Sequence, residues 1–219
     1  MTIKRFLILL GLVALLGLTG CATKTTPYNY DALIKAKPRS ILIMPPLNDS
    51  IAVNASYIEM STLSRPLGEK GYYVFPVAVI DNFMKQNGLP TPAEMNKVPL
   101  EKLYENIGAD AVLYTRIEDW GQKYMVLNSE TVVKLDMKLV DCRTGALLWN
   151  SSVTAVDDSG NSSGGGLLGA LISAAANQIA GSISDRTPAV ARKADYTAIY
   201  NKSRGLLNGP YAPSTASAK

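Results

Sequence analysis

The side chains best suited to chemistry are two thiols, Cys21 and Cys142, and no histidine accompanies them anywhere in the 219 residues. Without imidazole there is no His-based triad, no imidazole general base and none of the common zinc ligand sets. Carboxylate, Ser-Lys or Tyr chemistry is what remains for an enzyme. Glu118 and Asp119 adjoin at a predicted strand end, but neighbours on a strand point to opposite faces, which spoils them as a catalytic pair. Gly164-Gly165-Gly166 precedes a helical pattern yet lacks the Gly-Lys-Ser/Thr ending of a phosphate-binding loop, so it reads as a hinge. No cluster of Cys, Asp and Glu has metal-ligand spacing, and no basic run interleaved with aromatics suggests a nucleic-acid surface.

Cys21 has a telling context. Lys4 and Arg5 precede an apolar run over residues 6–18, and the small residues Thr19 and Gly20 follow. A cationic start, an apolar stretch too short to span a bilayer and a small-residue end make an export signal. Leu18-Thr19-Gly20-Cys21 resembles the lipobox of bacterial lipoproteins and meets its pattern at all four positions. The resemblance implies a diacylglycerol thioether on Cys21, cleavage before it and acylation of the new amino terminus. One acyl chain holds a membrane only marginally, whereas two or three make a lasting anchor. Ala22, where an Asp would retain the protein at the inner membrane, implies sorting to the outer membrane in enteric-type bacteria, with the periplasmic face the expected side. With Cys21 lipidated, Cys142 stands alone; a small half-buried hairpin residue and a reactive or intermolecular thiol are the two readings.

Loss of residues 1–20 removes two positive charges and no negative one, so the formal net charge of +4 falls to about +2. A chain that is 47% hydrophobic and 18% charged can bury one substantial core, and a single domain over residues 38–204 is expected. Residues 21–37 read as a lipidated polar tether and residues 205–219 as a frayed tail.

Within the domain, Ser40-Ile41-Leu42-Ile43-Met44, stopped by Pro45-Pro46, reads as a buried strand. A helix is predicted from Asn54 to Gly71, with Pro66 either kinking it or opening a second helix. Tyr72-Tyr73-Val74-Phe75 is a second strand, and residues 78–86 a helix with Val79, Ile80, Phe83 and Met84 on one face. Thr91-Pro92-Ala93-Glu94 has capping-box spacing, and Leu100, Leu103, Tyr104 and Ile107 mark a helix that Gly108 ends. Residues 111–117 form the third strand. Between 131 and 140, Val133, Leu135, Met137 and Leu139 alternate with Lys134, Asp136 and Lys138, and residues 141–145 turn the chain into a partner strand over 146–156. A final helix is predicted over residues 188–204. The result is an α/β domain with a mixed sheet of about five strands, helices mostly on one face, and C-terminal helices.

Gly108-Ala109-Asp110-Ala111-Val112-Leu113-Tyr114, then Leu135-x-Met137-x-Leu139-Val140-Asp141-x-x-Thr144-Gly145 and Trp149, resembles the TolB N-terminal-like fold of periplasmic lipoproteins, whose members include CsgG and LpoB. With Tyr72-Tyr73-Val74-Phe75-Pro76-Val77 and the glycine-rich insert, the chain is similar still more closely to a family of outer-membrane lipoproteins without an assigned activity, one of them a neisserial surface-antigen candidate.

Between Asp158 and Asp185 there is no ionisable side chain. Residues 166–183 read as an apolar helix, with Leu168, Ile172 and Ile179 on one stripe and the small residues Ala170 and Ala174 on the next. Docking on the domain's own sheet, self-association through the small residues and contact with the bilayer are three competing roles. Together these features imply a non-enzymatic lipoprotein that needs no cofactor beyond the lipid on Cys21. It would act on envelope proteins or on itself in cell-envelope assembly or transport at the outer membrane. A regulator of a peptidoglycan synthase, as LpoB is, is the alternative, and an enzyme of unfamiliar type a third.

Overall fold

The computed structural model describes residues 27–124, 129–158 and 185–213. The lipobox and the apolar run at 166–183 lie outside them. Strands β1 (Ser40–Ile43), β2 (Leu47–Asn48), β3 (Tyr73–Val74), β4 (Ala111–Tyr124), β5 (Ser129–Asp141) and β6 (Leu147–Asp158) form one mixed sheet. Its order is β3-β1-β4-β5-β6, with β2 pairing β4 beyond the end of β1. Pairs among β1, β2, β3 and β4 are parallel; β4, β5 and β6 form an antiparallel meander.

The helices are α1 (Asp31–Ala36), α2 (Ala55–Glu69), α3 (Val77–Gln86), α4 (Pro92–Met95), α5 (Leu100–Ile107) and α6 (Thr187–Ile199). From β1 the chain crosses through α2 to β3 on one side, then returns through α3, α4 and α5 to β4 on the other side of β1. Crossovers of one hand running in opposite directions must lie on opposite faces. Accordingly Ile41, Ile43, Ala111 and Leu113 join a large core with α2 and α6, while Leu42, Met44 and Val112 join a smaller one with Ile80, Met84, Met95 and Leu103. Strand β1, covered on both sides, is an unbroken apolar run for that reason.

Helix α2 continues through Pro66, because Leu63 and Leu67 on the same stripe are fully buried and hold that turn in place. Thr91 and Glu94 form the expected capping box, and Gly108 closes α5 at φ 80°. Strand β4 runs to Tyr124, past the expected end at residue 117, with a register shift between Ile117 and Asp119. In α3, Ile80 and Met84 face the sheet, but Val79 and Phe83 are 63% and 41% exposed. One residue is a 100° step around a helix, so the four cannot share a narrow face.

The described parts of the expected tether, 27–37, and of the expected frayed tail, 205–213, are structured. In the supposed tether, α1 buries Leu33, the Tyr28 hydroxyl donates to Asn150 Oδ1 (3.0 Å) and accepts from Asn150 N–H (3.0 Å), and Tyr30 donates to the Gly205 carbonyl at 2.6 Å. In the supposed tail, Leu206 is buried, Gly209 N–H donates to the Lys70 carbonyl (2.7 Å) and Tyr211 N–H to the Gly71 carbonyl (2.9 Å). The two margins brace each other over the end of the sheet. Tyrosine supplies the reason: its ring buries apolar area while its hydroxyl keeps a partner, so a segment that scores as polar still packs. The last helix correspondingly stops at Ile199 rather than 204.

Candidate functional site

Leu18, Thr19, Gly20, Cys21, Leu168, Ala170, Ile172, Ala174 and Ile179, with Gly164 to Gly166, fall outside the described residues, so the structure brings none of them together. Cys142 is buried, not half-buried, in the smaller core, and burial pushes its thiol up to about 12. A thiol held neutral has little nucleophilicity. Glu118 and Asp119 are engaged separately, Glu118 with Lys134 at 2.7 Å and Asp119 with Lys123. Among the described residues no three Cys, Asp or Glu side chains gather as a metal site, and no helix is long and apolar enough to cross a membrane.

The fold assembles two polar features from residues far apart in the sequence. The first is a cleft of about 650 Å³ at the amino-terminal ends of β1, β3 and β4, lined by Lys37, Arg39, Ser40, Tyr73, Phe75, Asp110, Arg143 and Tyr211 among others. Asp110 is its keystone. Its Oδ2 accepts from the Arg39 and Ser40 backbone N–H groups (3.0 and 3.2 Å) and from Ser40 Oγ (3.3 Å), and its Oδ1 from Arg143 (3.2 Å). Ser40 Oγ in turn accepts from the Asp110 N–H at 2.9 Å, which ties the start of β1 to the start of β4. Arg143 also lies over the Tyr104 ring, 4.8 Å from its centroid. It comes from the β5–β6 turn, where Asp141 Oδ1 accepts from the Arg143 and Thr144 N–H groups (3.1 and 2.8 Å) and Gly145 adopts φ 71°. The lining residues come from well-separated segments, so no local spacing announces them.

The second is a carboxyl pair. Glu59 on α2 and Asp195 on α6 are both wholly buried where those helices pack. Desolvation, then the neighbouring carboxyl, raises Glu59 well above the usual range; desolvation does the same to Asp195. Carboxylates only accept hydrogen bonds, and heavy-atom geometry leaves all four oxygens without a donor. A proton held between them lets one carboxyl donate to the other, and the Thr62 hydroxyl also lies beside Asp195. A signal did exist here: Glu59 lies on the stripe Ala55, Leu63, Leu67 of α2, where only core side chains belong.

Residues 28–211 match the family described as "Putative lipoprotein GNA1162-like". The chain belongs to that family. It is 42% identical over 205 residues to the "Putative lipoprotein NMB1124/NMB1162" of Neisseria meningitidis serogroup B, covering 93% of this chain and 95% of that one. The crystal structure of lipoprotein GNA1162 from Neisseria meningitidis matches with 45% identity and a TM-score of 0.54, over 65% of this chain and 99% of that chain. The NMR structure of E. coli LpoB is a looser likeness, with 18% identity and a TM-score of 0.40 over 64% of this chain and 74% of that one. The GNA1162-like match begins at Tyr28, whose hydroxyl hydrogen-bonds to Asn150.

Proposed function

We propose that this GNA1162-like lipoprotein is held by acyl chains on Cys21 at the periplasmic face of the outer membrane, and that its domain serves envelope assembly or transport by touching envelope proteins and copies of itself, without catalysis. The supporting observation is a contact made close in sequence to Cys21. Tyr28 is locked to Asn150 on β6, so only six residues separate it from Cys21. Fully stretched, that link spans about 25 Å. A domain so tethered works next to the lipid surface and is poorly placed to reach a synthase through the cell wall, which disfavours the regulator reading. Ile51 and Val53, 98% and 91% exposed before α2, offer apolar contact. Asp157, ahead of residues 159–184, pairs with Arg186, after them, at 3.3 Å. In this reading the uncharged run within them, through Leu168, Ala170, Ile172, Ala174 and Ile179, joins copies together.

The test is Cys21→Ala in cells, with membrane fractionation and crosslinking. Wild type should sediment with the outer membrane and the variant should not, while its crosslinked partners become fewer. Lengthening the link before Pro27 should leave function nearly intact. A variant that fractionates like wild type removes the anchor from the proposal, and strong dependence on link length restores the regulator.

A further inference from the structure

We propose that the cleft walled by Lys37, Arg39 and Arg143 binds a phosphate monoester. Three cations line it against the single carboxylate of Asp110. That carboxylate is committed to backbone N–H groups, Ser40 and Arg143, so it offers an incoming anion little unspent charge. Lys37 and Arg39 are exposed, and neither side chain has a partner among the described residues. The third cation, Arg143, is paired with Asp110 at 3.2 Å. The carboxyl ends of α1 and α5 at the rim contribute roughly half a negative charge each, which still leaves the lining positive.

The position is also built rather than incidental. Lys37 is the one described non-glycine residue with positive φ, at 46°, and Asp110 pins the Arg39 backbone two residues on. Cations thus sit on fixed main chain, on either side of buried Pro38. A phosphate monoester offers three terminal oxygens and a charge approaching −2, enough for guanidinium and ammonium groups from separate segments; a carboxylate offers two oxygens and one charge. Tyr73 and Phe75, edge to face at 5.1 Å, and the exposed ring of Tyr211 supply an apolar wall for whatever carries the phosphate. The volume suits a ligand of sugar-phosphate or lipid-headgroup size. This inference does not rest on the proposed anchor or on its partners.

The experiment uses the full mature lipoprotein in neutral detergent and reads saturable binding and the rise in unfolding temperature that a native-state ligand causes. The probes are inorganic phosphate and, separately, micelles doped with phosphatidic acid or, as control, phosphatidylcholine. Phosphate, but not chloride at equal ionic strength, should bind and stabilise. The double variant Lys37→Gln/Arg39→Gln, at exposed positions without partners, should keep its unliganded unfolding temperature and bind about ten-fold or more weakly, and Lys97→Gln should bind as wild type. Phosphatidic acid acting at lower concentration than inorganic phosphate points to a lipid headgroup, and the reverse points to a soluble phosphate compound; either supports the site. Absence of saturable binding with both probes overturns the proposal. So does equal binding by wild type and double variant, and Arg39→Glu provides the same contrast should the double variant not fold.

Discussion

At the scale of single residues, the Glu59–Asp195 pair has the largest measurable consequence. Burial raises both groups, so the folded protein retains a proton that the unfolded chain gives up above its ordinary carboxylate pKa. Over that interval the native state binds more protons, and stability falls as pH rises. The contribution is fully favourable below the unfolded value near 4 and is lost as pH climbs through the raised folded values. Urea midpoints should therefore drop between about pH 5 and about pH 8, where exposed carboxylates stay ionised and contribute little. Glu59→Gln, which supplies a donor without charge, should flatten that slope and add about 1–3 kcal/mol at the alkaline end. A midpoint that climbs with pH, or a variant that keeps the wild-type slope, would show that the pair is not protonated in the fold. Cys142 is also a buried titratable group, raised by desolvation and then by Asp141 and Asp110.

At the scale of elements, the closing segment after α6 acts as a strap. Leu206 fills the core, Tyr72 donates to the Leu207 carbonyl at 2.9 Å, and the backbone around Gly209 and Tyr211 hydrogen-bonds to Lys70 and Gly71. The approach is so close that a Cβ on Gly71 would stand 2.0 Å from the Ala212 nitrogen, at a φ of 84° that already disfavours side chains. Truncation after Arg204 should cost about 2–5 kcal/mol, the range for emptying a large apolar site. Gly71→Ala should destabilise the whole chain by more than the 1–2 kcal/mol of its backbone conformation, and by no more than that in the truncated chain. Equal penalties in the two backgrounds, measured by denaturant unfolding, would mean the strap does not lie against Gly71. Helices α2 and α3 were legible from their periodicity, α4 from its capping box and α5 from its periodicity and Gly108 stop. The strap and α1 were not, since their partners are each other and the sheet end, far away in sequence.

At the scale of the whole molecule, the proposed anchor at Cys21 and the uncharged run between Asp158 and Asp185 would give two routes to neighbours, a lipid surface and other copies of the chain. If residues 166–183 pack against a second copy through small side chains, Ala170→Leu with Ala174→Leu should reduce the sedimentation coefficient of the purified protein and leave its unfolding transition in place. Association equal to wild type, or an unfolding transition moved along with it, assigns the segment to the domain's own surface instead.

What the amino-acid order decided by itself was whatever depends on neighbours along the chain. The buried strand at Ser40–Ile43, the alternation of β5, the capping box and the glycine stop of α5 are all local, repeating or short-range signals. Tertiary structure alone decided which faces were covered, whether the margins were ordered, and where charge gathered. Lys37, Arg39, Asp110 and Arg143 share a cleft only because parallel pairing of β1 with β4 and the β5–β6 turn deliver them there. Glu59 meets Asp195 only because α2 and α6 pack on the same face of the sheet. Long-range juxtaposition leaves no periodic trace in a sequence, because each partner obeys the pattern of its own element and the energy of the pair appears only once the two are brought together.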